Sequence, residues 1–478
     1  MNAALWSAVL AIVFVQPQFG FSAWSGVGIA FAQDDDGGDD DGGDDDGDDR
    51  DDGDRDDGRD NDRSPGKRTI RVKPGKSATP RRTPRVEVAP APDFAQGEIV
   101  VTNLSESDLA QLQTEGFAVI ELVELVEVAV VLHRLRVPRG LTLEQARDRV
   151  RAQRTGTTGD FNHYYRTEEE PTAPAFGSAI TPVALAPSMP CAHLNCAALD
   201  LIGWPAERNQ SPQCRVTVPV GVIDTGVNAA HENLLGADIE VLRLVDEEVD
   251  ASKAVHGTAV AALIVGQDTD RVPGLIPEAK VLVVDVFGRN GGDERASVVS
   301  LVKALDLLVV RGVKVINMSL AGPPNATLEA ALARLAEPGG AVVLAAVGNG
   351  GPKAAVAYPA GYPSVLAVTA VDQRGQVYRR AQRGAHIDLA APGVEVWSAT
   401  SISGVKPKSG TSFAVPFATA VAAVLASRDP TATPEALTAQ MRALVRDIGA
   451  PGPDEVFGAG LLSAASLCAP KIFAVPVE

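Results

Sequence analysis

Val216-Thr-Val-Pro-Val-Gly-Val-Ile-Asp-Thr-Gly226 is a largely apolar run of strand length that ends on an acid and a glycine turn. A strand apolar on both faces has to be buried on both faces, as in a parallel sheet covered by helices. Runs of the same kind follow at Lys280 to Val286, Lys314 to Leu320, Ala341 to Val347 and Val365 to Ala370. Helical patterns intervene at Val298 to Val310, Leu328 to Ala336 and Pro434 to Val445. The alternation predicts an α/β fold around a largely parallel sheet. Sites in such sheets form outside the carboxyl ends of strands, where Asp224 and Asn349 fall.

Three further segments carry chemistry: His256-Gly-Thr-Ala-Val-Ala261, Ala345-Ala-Val-Gly-Asn349 and Gly410-Thr-Ser-Phe-Ala-Val-Pro416. A serine hydroxyl is a poor nucleophile at neutral pH. Acyl transfer therefore needs an imidazole to take its proton and a carboxylate to fix the tautomer and stabilise the imidazolium. Asp224, His256 and Ser412 are the residues for those roles. His256 stands at the start of an apolar helical run, and Ser412 precedes a helix expected from Phe413 to Ser427. The Ser412 N–H and that helix N-terminus would face a developing oxyanion, with the Asn349 side chain as second donor. Taken singly, each has a plainer reading: a strand-end Asp, an N-cap Ser, a Gly-Asn-Gly turn. Together, in this order, they point to a hydrolase.

These residues resemble the subtilisin-like serine proteases over roughly Gly203 to Leu467. The likeness extends to Val315-Ile-Asn-Met-Ser-Leu320, Tyr358-Pro-Ala-Gly-Tyr-Pro363, Asp388-Leu-Ala-Ala-Pro-Gly393 and Gly458-Ala-Gly-Leu461. The resemblance implies a three-layer α/β/α catalytic domain over residues 203–470 that hydrolyses protein or peptide substrates. It also implies Asn349 in the oxyanion hole and Ser319, Leu320, Ala321 and Gly322 along the substrate. No cofactor is expected, and the family's calcium ligands do not align residue by residue, so no metal is assigned. Ala259, Phe413, Val415 and Phe417 depart from the commoner residues without removing a catalytic group. Ala321 and Val347 add methyl groups near the specificity pocket.

Upstream, residues 93–167 read as a small domain. A strand from Glu98 to Thr102 leads to a helix capped by Ser105. A hairpin spans Phe117 to Val137, a second helix runs from Leu143 to about Ala152, and a last strand runs from Phe161 to Arg166. The order β-α-β-β-α-β is that of a ferredoxin-like unit. It resembles the inhibitory propeptide of the same family, whose last strand lies in the substrate cleft, so the chain's own propeptide is an expected partner. Residues 168–202 form a longer junction than such propeptides usually have.

The N-terminus is apolar from Ala3 to Val15, continues past Pro17 and reaches Ala30-Phe-Ala32 ahead of a charged region. Residues 1–32 are expected to be a secretory signal. The missing basic residue and the interrupting Pro17 leave an uncleaved anchor as the other reading. No later segment has the roughly 18 uninterrupted apolar residues of a membrane span. The mature chain is thus expected to be secreted or periplasmic, with no membrane span.

The formal charge of −18 is concentrated in one place. Residues 34 to 62 hold eighteen Asp against three Arg, so the Asp/Gly-rich segment 33–62 has nothing to bury and is expected to be disordered. It lacks the spacing of Ca²⁺-binding nonapeptide repeats. Residues 63–92 read as a basic, Pro-rich linker. No nucleic-acid surface is expected from this balance. Cys191, Cys196, Cys214 and Cys468 permit three disulfide pairings, and a zinc site from Cys191, His193, Cys196 and Cys214 fits no common spacing. The alternatives to an exported endopeptidase are a transpeptidase on the same machinery and a cell-surface binding protein that uses the Asp-rich tail.

Overall fold

The computed structural model describes residues 91–167, 192–206, 208, 211–245, 249–268 and 271–469. The expected signal, the Asp/Gly-rich segment, nearly all of the basic linker and residues 168–191 of the junction lie outside them.

Residues 93–167 contain β1 (Phe94–Thr102), α1 (Glu106–Thr114), β2 (Ala118–Leu125), β3 (Val130–Arg136), α2 (Leu143–Arg151) and β4 (Asp160–Tyr165). The helices begin where side chains satisfy the first free N–H groups: Ser105 accepts from Asp108, and Thr142 and Gln145 form a reciprocal capping box. The strands lie in the order β2-β3-β1-β4 with antiparallel pairs throughout. Ile99, Val101, Leu112, Leu135, Val150 and Phe161 close their core. β1 starts at Phe94, ahead of the expected Glu98. The extension carries a register shift between Phe94 and Ile99, and Gly97 inside it has φ +74°. A bulge breaks the alternation that sequence reading relies on.

The larger part opens with α3 (Cys196–Ile202), β5 (Val220–Asp224), β6 (Ile239–Arg243) and β7 (Asp250–Ala251). α4 (Val255–Val265) follows, then a short antiparallel pair, β8 (Gln267–Asp268) and β9 (Val272–Pro273). β10 (Val281–Asp285) leads into β11 (Phe287–Asn290), β12 (Asp293–Ser297) and α5 (Val298–Val310). β13 (Val315–Met318), α6 (Ala326–Leu335), β14 (Val342–Ala346), β15 (Val365–Val371) and β16 (Leu389–Pro392) continue the alternation. The hairpin of β17 (Val396–Ala399) and β18 (Val405–Lys408) precedes α7 (Thr411–Arg428) and α8 (Pro434–Ala443). β19 (Val445–Arg446) and β20 (Leu461–Leu462) end the described chain.

Nine strands form one sheet in the order β19-β20-β16-β15-β14-β13-β5-β10-β6, with every neighbouring pair from β20 to β6 parallel. Every residue of β5, β10, β13, β14, β15 and β16 is buried, which accounts for their largely apolar sequences. α7 packs on β13 through β16 and against α4. Among the described residues it is the one helix long and apolar enough to cross a membrane, and its apolarity follows from its place in the core.

Cys214 is bridged to Cys468, tying the beginning of the larger part to its end across 254 residues. That bond consumes a thiol the zinc alternative requires. The two parts meet edge to edge. β4 pairs antiparallel with β12, extending the small sheet to β2-β3-β1-β4-β12-β11-β7.

Candidate active site

β5 ends on Asp224, whose carboxylate is fully buried. The chain then turns sharply, and the Thr225 N–H donates to Asp224 Oδ1 at 2.7 Å. His256 is the second residue of α4, and its Nδ1 lies 2.8 and 2.9 Å from the two Asp224 oxygens. A carboxylate only accepts, so Nδ1 carries the proton and Nε2 is left as the basic nitrogen. Gly257 permits the approach that makes this pair: a Cβ there would lie 2.4 Å from the Thr225 carbonyl oxygen.

Ser412 lies within the first turn of α7, which begins at Thr411 and not at the expected Phe413. Its N–H is therefore one of the first-turn donors without an intrahelical acceptor. Pro416, four residues on, has no N–H to give the Ser412 carbonyl. The Ser319 hydroxyl donates there instead, at 2.9 Å. The Ser412 hydroxyl in turn donates to the Ser319 carbonyl at 3.3 Å. These reciprocal bonds fix the nucleophile candidate against the end of β13. Phe413, the next residue, packs its ring 5.5 Å from that of His256.

Asn349 follows β14. Its Oδ1 accepts from both the Thr411 N–H and the Thr411 hydroxyl at 3.0 Å. Those two bonds set the amide's orientation and turn Nδ2 toward Gly410, where an added Cβ would come within 3.2 Å of it. The donor thus faces the peptide that leads into Ser412. A side chain at 410 would intrude on that space.

The stretch Ser319 to Gly322 divides its work. Ser319 is buried and tied to Asn317 and Ser412. Leu320 is buried in the core. The Ala321 backbone exchanges both bonds with Arg166 at 2.9 Å, whereas Gly322 exchanges both with Tyr358 at 2.9 and 3.0 Å. Ala321 is thus the residue of the four whose backbone pairs with an incoming strand. In this structure the strand is the continuation of β4.

Sequence reading missed Asp285. It ends β10 directly beside Asp224 in the sheet register. One oxygen accepts from the Phe287 N–H at 3.2 Å, and the other accepts at 3.1 Å from Ser252, which itself accepts from the Gly226 N–H. Burial pushes its carboxyl up to about 6, and the neighbouring Asp224 adds to the rise against three opposing interactions. The available signal was a second buried strand ending on an acid. Among the described residues no group of His, Cys, Asp and Glu has the arrangement of a metal site.

A model described as the subtilase family matches residues 216–460. Subtilisin DY of Bacillus licheniformis is 31% identical over 253 residues, covering 52% of this chain and 89% of its own length. The minor extracellular protease Epr of Bacillus subtilis (strain 168) is 30% identical over 246 residues, 51% of this chain but only 37% of that protein. Among solved structures, fervidolysin from Fervidobacterium pennivorans, a keratinolytic enzyme related to subtilisin, matches with a TM-score of 0.63 at 23% identity. That likeness is one of fold, and it covers 79% of this chain and 62% of fervidolysin.

Proposed function

The chain belongs to the subtilase family of serine peptidases, and from that premise we propose an exported endopeptidase that cleaves peptide bonds through an acyl-enzyme on Ser412. The observation that carries the reading is the buried contact of His256 Nδ1 with both oxygens of Asp224 beside the first turn of α7. Asp224 holds the imidazole in the tautomer whose Nε2 accepts. His256 takes the Ser412 proton as the hydroxyl attacks the substrate carbonyl, and returns it to the leaving amine. The Ser412 N–H and Asn349 Nδ2 receive the oxyanion, and water then repeats the sequence on the acyl-enzyme.

Residues 93–167 are proposed to be the propeptide, a ferredoxin-like unit that occupies the cleft until processing. Their β-α-β-β-α-β order and the pairing of Arg166 with Ala321 support this. Export is supported by the expected signal and by the extracellular relative.

The test is Ser412→Ala. Turnover is expected to fall about 10⁶-fold, and labelling by serine-directed phosphonylating reagents to vanish. Full labelling of the variant would overturn the assignment. In the native enzyme kcat/KM should decline on acidification, because a protonated His256 cannot accept the Ser412 proton.

A further inference from the structure

The strand in the cleft has its last two residues committed in different ways. Tyr165 is fully buried, with its ring over Gly322, where a Cβ would approach within 2.5 Å, and its hydroxyl donates to the Pro323 carbonyl at 2.7 Å. It locks the strand in register. Arg166 points the other way, and its Nε and Nη2 donate to the two oxygens of Asp293 at 2.8 and 3.0 Å. A two-pronged guanidinium–carboxylate contact is selective in geometry as well as charge.

Asp293 belongs to the larger part and is already in place. Its side chain is 16% exposed, and Arg295 donates to its Oδ2 at 2.7 Å. The Arg295 guanidinium lies 4.0 Å over the ring of Tyr164. Asp293 stands opposite Asn290 in the β11–β12 ribbon, so the receptor is part of that strand pair and not a loose surface acid.

Register relates this contact to the chemistry. In an antiparallel pair one chain advances as the other retreats. With an arginine opposite Ala321, the residue two positions on falls opposite Ser319, whose carbonyl accepts the Ser412 hydroxyl. A substrate bound in this register offers Ser412 the carbonyl of that residue.

We propose that Asp293 is a specificity-determining residue that selects peptide substrates with arginine two residues before the acylated position, as Arg166 is held in this structure. The inference rests on the proteolytic reading and names its substrate class. Glutamate at the same place would set two carboxylates against each other.

The experiment uses two internally quenched peptides containing Asn-His-Tyr-Tyr-Arg-Thr, the sequence of residues 162–167, or the same with Glu for Arg, followed by one common tail. They are offered to the enzyme secreted from the full chain and processed, with residues 93–167 released from the cleft, and to its Asp293→Asn and Asp293→Lys variants prepared in the same way. The native enzyme should favour the arginine peptide by about tenfold in kcat/KM. The ratio should collapse toward one in Asp293→Asn and invert in Asp293→Lys. Both peptides compete for the same molecules, so any loss of folded enzyme cancels in the ratio. Equal cleavage by the native enzyme, or an unchanged ratio in both variants, overturns the inference alone. Cleavage of neither peptide by any form overturns the proteolytic reading and the inference with it.

Discussion

The seam between α7 and the central sheet differs in kind from the seam between residues 93–167 and the rest. The first is closed by Phe413, Val415, Phe417, Val421 and Val424 against fully buried strands. The second combines an apolar face, with Val100, Leu125, Val128, Val130, Leu132 and Tyr165 in one buried cluster with the larger part, and a set of polar and charged contacts: Asp306 with the turn N–H groups of Glu127 and Val128, Lys303 with Glu121, Asn325 with His163, and Arg166 with Asp293. Apolar burial does not discriminate between partners or respond to pH, whereas paired charges and hydrogen bonds do both. On the proposed function the first seam is permanent and the second is the removable one.

Within this comparison, the largest expected effect tests whether the permanent seam holds the chemistry rigidly. Asn349→Ala removes the Nδ2 donor and also the acceptor that anchors Thr411. kcat should fall on the order of 10² to 10³ with KM nearly unchanged. Steady-state kinetics decide it. An unchanged kcat would make Gly-Asn-Gly a turn and nothing more.

Asp285 sharpens the comparison from inside the core. Its folded carboxyl is raised to about 6 from an ordinary 3.8, so between those values the folded protein holds a proton that the unfolded chain releases. Stability from this group is greatest below about pH 4, declines as pH rises to 6, and is then level. Asp285→Asn abolishes that decline. In a Ser412→Ala background, which prevents self-digestion, denaturant unfolding at pH 4 and 7 should show the variant spared a loss of roughly 3 kcal/mol. Parallel curves would mean that Asp285 titrates normally.

Much of this was legible because fully buried strands leave largely apolar runs, and Asp224 and Asn349 stand where such runs end. What escaped depends on distant partners. Asp293-Glu-Arg-Ala-Ser297 follows two glycines and shows no apolar pattern, and it is a strand because β11 and β4 flank it. Asp306 sits in an apolar helix and gains meaning only from turn amides nearly 180 positions upstream. α7 begins two residues ahead of the expected Phe413, and Pro416 within it leaves the Ser412 carbonyl without a helical donor. The hydroxyl of Ser319, 93 residues away, satisfies the carbonyl that proline leaves open.

At the removable seam, Asp306→Ala leaves the Glu127 and Val128 N–H groups without their acceptor. A buried donor so orphaned costs on the order of 1–3 kcal/mol. Docking of residues 93–167 should weaken about tenfold while the 214–468 disulfide and the catalytic core stay intact. Limited digestion of the Ser412→Ala chain by an added protease measures this: cuts within residues 93–167 should accelerate and those in the larger part should not. Equal acceleration in both would show that the two seams are one cooperative unit.

The smallest effect concerns His163, which lies in the same seam with its Nδ1 accepting from Asn325 at 2.9 Å. Burial holds its imidazole below the ordinary 6.5, against the opposing pull of Asp160 and Asp93 and with a small push from Arg147. A proton on Nδ1 would confront the Asn325 N–H₂ donor-to-donor. Phe94 and Phe161, the rings that flank His163, offer the new charge no hydrogen bond. Packing therefore resists protonation, so the contribution of His163 is fully present above about pH 6.5 and is lost as the pH falls below it. A cavity of ≈ 500 Å³ bordered by Arg147, Asp160, His163, Asn325 and Glu329 gives a proton its route. Digestion of residues 93–167 in the Ser412→Ala chain should quicken severalfold between pH 7 and 5.5, and His163→Phe should flatten that step. The core runs the other way, since Asp285 gains stability over part of the same acid range. Acid should thus open the seam while sparing the enzyme, and a His163→Phe chain with an undiminished acid response would place the sensitivity on the surrounding carboxylates instead.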